Sequence, residues 1–143
     1  FSMGSVNGNL AARLELMEKV QQTAIGWLTN LSAASLEEML RTCETWGKSK
    51  NEEWSLLLDF LETWFRDLTW LHHGLPEEEL INRTINSEES RISALRNSAE
   101  HFNLQQIHEI FSRIAESRRA IELNANKSLA VESLCLHIFR SAA

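Results

Sequence analysis

From Trp54 to Leu71 the chain places apolar residues at nearly every position where a helix would turn inward, and at several where it would turn outward. Trp54, Leu57, Leu58, Leu61, Trp64, Phe65, Leu68 and Leu71 recur at steps of three and four, the spacing that lines one face of an α-helix. Leu56, Phe60 and Trp70 lie outside that face, so the polar strip shrinks to Asp59, Glu62 and Arg66. A helix apolar around most of its circumference belongs at the centre of a bundle, covered by others. The segment is long enough to cross a bilayer, but Asp59, Glu62, Arg66 and Asp67 would be heavily penalised in hydrocarbon. It therefore reads as a buried helix of a soluble protein, with no membrane role.

The rest of the chain supplies the covering helices. Leu10, Leu14, Met17, Val20, Ala24 and Trp27 predict an amphipathic helix from about Asn9 to Leu31. Ser35 and Glu38 have the spacing of a capping box and predict a helix that stops near Trp46 and Gly47. The central helix should open around Asn51, with Glu52 and Glu53 at the positive end of its dipole, run to His73 and close at Gly74. Leu75 to Asn86 reads as a connector with one short turn. Ser87 opens a helix to about Glu100, and Asn103 caps another that carries Ile107, Ile110, Phe111, Ile114 and Ile121. At Asn124-Ala125-Asn126, Asn124 can take left-handed torsions to end that helix. Asn126 can accept N–H bonds at the start of the next, forming a tight antiparallel pair. The last helix, Lys127 to about Arg140, shows Val131, Leu134, Cys135 and Ile138 on one face. With no strand pattern or repeat, the expected fold is all-α, an antiparallel bundle of about five to six helices.

A length of 143 residues fits one such domain, and one Pro with five Gly is too few for a loop-rich β fold or a Gly-rich phosphate cradle. Fourteen Lys and Arg against twenty Asp and Glu leave a net charge of -6, the wrong sign for gripping nucleic-acid phosphates over a whole surface. Cys43 and Cys135, far apart and outside any metal-spaced cluster, read as free thiols in a reducing compartment, and Phe1 to Leu10 has no signal-peptide pattern. A cytoplasmic location is expected.

Candidate chemistry is sparse. His72 and His73 end a helix, where a cation complements the dipole, and adjacent helical positions point about 100° apart, poor geometry for one metal. His101 and His108 are surface or core-edge residues on their spacing. Trp27, Trp54, Trp64 and Trp70 have core spacing and acidic neighbours, unlike a base-stacking platform. Arg113, Arg118 and Arg119 form the one positive cluster, either pairing with Glu116 or Glu122 on a solvated face or touching a partner. No catalytic residue, cofactor or metal site is expected.

Two internal motifs carry a resemblance. The segment Ile114 to Leu136, IAESRRAIELNANKSLAVESLCL, and the element Trp64-Phe65-Arg66-Asp67-Leu68 resemble the C-terminal domain of delta prime subunits of the bacterial DNA polymerase III clamp loader. Residues 1–10 resemble the end of that family's ATPase-like lid, with an expression-tag scar over Ser2 to Ser5 as the alternative. Asn7 stands where ATP-using relatives carry an Arg that reaches phosphate, as expected of a subunit that does not hydrolyse ATP. The resemblance implies that 1–8 close a lid and 9–143 form a collar domain. Such a domain packs beside the gamma/tau and delta subunits' C-terminal domains and leaves DNA contact to other modules. Arg66, Asp67, Arg118 and Arg119 are the candidate interface residues, Arg66 and Asp67 with the alternative of pairing inside the domain. Ser35, Gly74, Asn124 and Asn126 are assigned to caps and turns. An unrelated intracellular helical adaptor is the competing reading, and metal or hydrolase chemistry in the bundle a third.

Overall fold

The structure, a computed structural model, describes residues 3–82 and 88–142. Among these residues there are six α-helices, two short 3₁₀ turns and no strand: α1 (Met3–Thr29), α2 (Leu36–Gly47), α3 (Asn51–His72), α4 (Glu88–His101), α5 (Leu104–Glu122) and α6 (Lys127–Ala142). The all-helical expectation holds. The expected opening of α4 at Ser87 lies outside the described residues.

α3 is the central helix, packed against α1, α4 and α5, while α6 packs against α2 and α5. Leu57, Leu58, Leu61, Trp64, Phe65 and Leu68 of α3 are completely buried, and so are Leu56 and Phe60 to within a few per cent. Its apolar circumference is thus covered nearly all round, each such side chain contributing about 1.5–3 kcal/mol of transfer free energy. Phe65 meets Phe102 edge-on at 5.1 Å, and the Trp54 indole N–H donates to the Trp46 carbonyl, joining α3 to the end of α2.

α1 departs from expectation at both ends. It begins at Met3, running through Gly8, and stops at Thr29, where the Asn30 amide donates back to the Gly26 carbonyl and a 3₁₀ turn, Leu31–Ala33, follows. The expected core stripe is also only half right. Val20, Ala24, Trp27, Leu28 and Leu31 are buried, whereas Leu10 and Leu14 are exposed because the first half of the helix overhangs the bundle.

Helix ends follow the local chemistry closely. At α3 the Gly74 N–H donates to Leu71 and the Leu75 N–H to Trp70, with Gly74 at φ 68°. The same pair of bonds closes α5, from Asn124 to Ile121 and from Ala125 to Ala120, with Asn124 at φ 53°. Both are Schellman ends, which need a left-handed residue, and Asn supplies it in the second. Asn103 and Gln106 form a reciprocal capping box at the start of α5. Ser35 accepts from the Glu38 N–H at 3.2 Å, but the return bond is not made, so the expected box is a simple cap. Asn126 is corrected. Its side chain makes no hydrogen bond among the described residues, and its contribution is a second left-handed torsion, φ 50°, that aims α6 back along α5. No helix among the described residues is long and apolar enough to cross a membrane.

Candidate functional site

Asp67, within the Trp64-Phe65-Arg66-Asp67-Leu68 element of α3, faces inward, 2% exposed. One carboxylate oxygen accepts from the Ile81 N–H at 2.9 Å, and the other from the Asn82 N–H at 2.8 Å and the Asn82 amide at 2.9 Å. The connector that follows the 3₁₀ turn Glu77–Glu79 is therefore tied to the central helix by one carboxylate. This removes Asp67 from the candidate interface. Of its two alternatives the interior one holds, with Asn82 rather than Arg66 as partner. Arg66, one residue before, is exposed.

The three arginines of α5 separate in the same way. Arg118 reaches α3 and pairs with Asp59 at 2.9 Å and Glu62 at 2.7 Å, the polar strip of the otherwise apolar helix, rather than with Glu116 or Glu122. Arg119 is exposed in the last turn of α5, and Arg113 is half-buried, close enough to His137 to disfavour its protonation. The four residues grouped by sequence thus divide into two that hold the domain together, Asp67 and Arg118, and two that face outward, Arg66 and Arg119.

The histidines do structural work. The His72 ring, with the proton on Nε2, donates to the Phe102 carbonyl at 2.6 Å and ties the end of α3 to the α4–α5 junction, while His73 is the C-cap of α3. Burial is the main cause that pushes His137 below the usual histidine range, helped by Arg113 and Arg140 and opposed by Glu109. Among the described residues, no three His, Cys, Asp or Glu side chains come together in a way that would hold a metal ion. Trp27, Trp46, Trp54 and Trp64 are buried in the core, and the Trp70 indole donates to the Pro76 carbonyl at 2.8 Å.

Most of the large apolar side chains left exposed are leucines. Leu40 of α2, 51% exposed, and Leu129 of α6, 64% exposed, line one groove of about 590 Å³ together with Leu136, Glu44, Lys48 and Glu132. A second groove of about 490 Å³ runs between α1 and α2, with Leu16, Val20, Trp27 and Trp46 in its walls and Lys19 and Arg41 among its charged residues. Single exposed leucines are ordinary, but leucines from two elements that share a groove make a surface. Sequence reading missed this surface: Leu129 falls off the core stripe of its helix and could have been singled out on that ground, whereas Leu40 shares the spacing of the buried Cys43 and Gly47 and carries no such signal.

The structure also brings together two residues that the sequence separates by most of its length. Cys43 and Cys135 are both free and buried, on the two helices that meet at the α2–α6 contact, and each shifts the ionisation of the other. No known protein family, curated protein or solved structure matches this chain.

Proposed function

We propose that this chain is a docking domain without chemistry of its own, and specifically the collar domain of a bacterial clamp-loader delta prime subunit, at work in the cytoplasm. The specific assignment rests on the resemblance of Trp64 to Leu68 and of Ile114 to Leu136. What supports the docking role is the pair of exposed leucines, Leu40 and Leu129, set on a groove that spans α2 and α6. Interfaces are built around such apolar centres with charged rims, here Glu44, Lys48 and Glu132. In this reading the domain packs beside the C-terminal domains of the gamma/tau and delta subunits and contacts DNA only through other modules of the loader.

Size-exclusion chromatography of the domain mixed with those C-terminal domains at micromolar concentration tests the assignment. Co-elution is expected, and Leu129→Glu should abolish it while leaving the helical circular dichroism unchanged. Arg119→Glu and Arg66→Glu test the outward-facing arginines. Arg118→Glu is unsuitable, because its carboxylate would face Asp59 and Glu62 and disturb the fold itself. Failure of the unmodified domain to bind any of those partners would sink the collar assignment and leave an unrelated helical adaptor. Binding that Leu129→Glu does not weaken would move the contact to another face.

A further inference from the structure

α2 and α6 approach so closely at Gly47 that a side-chain carbon there would lie 2.5 Å from Cγ of Glu132, and the Ser128 hydroxyl donates to the Gly47 carbonyl at 2.6 Å. On α2, Cys43 lies one turn before Gly47 on the same face. On α6, Ser128, Glu132 and Cys135 follow one another at steps of four and three, again on one face. Stepping back one turn from the contact on α2 and forward one turn on α6 therefore places Cys43 opposite Cys135, and each thiol shifts the ionisation of the other. Their accessibility differs. Cys43, 5% exposed, lines the groove beside Leu40 and Leu136, whereas Cys135 is completely buried behind it.

We propose that Cys43 and Cys135 form a redox-modification site, a dithiol that hydrogen peroxide converts to an intramolecular disulfide stapling α2 to α6. The groove admits a small oxidant to Cys43 first. Its thiolate attacks one peroxide oxygen: an S–O bond forms, the O–O bond breaks, and the departing hydroxide takes up a proton to become water, leaving Cys43 as a sulfenic acid. The Cys135 sulfur then attacks the Cys43 sulfur. The S–S bond forms, the S–O bond breaks, and the leaving hydroxide carries away the Cys135 proton as a second water. Each sulfur gives up one electron and the peroxide takes both. The order of events agrees with the electrostatics: the Cys135 thiol bonded to Cys43 favours the Cys43 thiolate, whereas that same bond and burial keep Cys135 protonated. Glu132 opposes ionisation at both sulfurs. A disulfide here would close most of the chain into one loop and hold the two helices in register.

The test is peroxide treatment of the folded protein, followed by denaturation, alkylation and intact-mass measurement. The expected result is a monomer about 2 Da lighter with neither thiol alkylated, restored to two alkylated thiols by dithiothreitol. In Cys135→Ser the same treatment should leave a sulfenic acid at Cys43 that dimedone traps. Cys135→Ala repeats the measurement should the serine variant fold poorly. Oxidation of Cys43 alone in the unmodified protein, a disulfide between two molecules, or two unreacted thiols after a glutathione control has been consumed would each overturn the proposal. Absence of the dimedone adduct in both variants would overturn the assigned order of attack.

Discussion

Replacing Asp67 separates a residue that docks from one that folds. Its carboxylate accepts three hydrogen bonds, two from the buried Asn82 and one from the backbone of Ile81. In Asp67→Ala the Ile81 N–H can turn to water, because Ile81 is 40% exposed, but Asn82, 2% exposed, cannot. Each donor stranded away from water costs about 1–3 kcal/mol, so the two from Asn82 cost about 2–6 kcal/mol together. Removing a desolvated carboxylate returns part of that, leaving an expected loss of about 1.5–4 kcal/mol. A chain of this length is stable by roughly 7–20 kcal/mol, so the variant should still fold. Asp67→Asn keeps one oxygen for both Asn82 donors and turns its amide toward Ile81, for a loss of about 1–1.5 kcal/mol. Equilibrium urea unfolding followed by tryptophan fluorescence reads both, since Trp64 lies one helical turn before Asp67 in the core. A loss below about 1 kcal/mol in the alanine variant would refute the reasoning, as would equal losses in the two variants.

At Asn126 the torsion, not a cap bond, should set the ranking. Glycine should match or exceed asparagine, and serine and alanine should each cost about 1–2 kcal/mol in thermal or urea unfolding. A serine variant as stable as the parent would restore the cap. His137 titrates below the ordinary histidine range in the folded state, so the unfolded chain binds its proton first as pH falls. Stability is therefore expected to be full above about pH 6.5 and to decline as pH drops toward the depressed folded value, and His137→Gln should flatten that part of a melting-temperature profile. Arg118→Ala should lower stability by no more than about 1 kcal/mol, because the pair is partly exposed, and the loss should shrink in high salt. A loss that salt leaves unchanged would mean that Arg118 acts by packing. Glu132→Gln should speed modification of Cys43 by iodoacetamide, because a carboxylate that disfavours the thiolate is gone.

The helices were legible because their signals are local. Periodicity placed α3 and its buried face, Gly74 and Asn124 marked two ends, and Asn103 marked a start. What stayed hidden depends on where helices cross. Leu10 and Leu14 carry the same periodicity as Val20 and Trp27, and only the overhang of α1 beyond its neighbours leaves them in water. Asp67 and Arg66 could not be told apart in sequence, either facing a neighbour or pairing inside the domain, yet adjacent helical positions face different ways and the partner of Asp67 arrives from the connector. Arg118 found Asp59 and Glu62, far away in sequence, over the nearer Glu116 and Glu122. The cysteines are free, as their spacing suggests, but their proximity was hidden for the same reason: the α2–α6 crossing that brings them together leaves no trace in either segment alone.

That crossing also bears on how the chain reaches its fold on a ribosome. The buried face of α2, with Cys43, Trp46 and Gly47, finds its cover in α6, which is synthesised after the other five helices. Until Lys127 to Ala142 emerge, a nascent chain that has already gathered α3 with α1, α4 and α5 holds an apolar strip of α2 open to solvent. The last contact to form therefore joins two elements distant in sequence, and the open strip of α2 is the part of the nascent chain most exposed to aggregation during that interval.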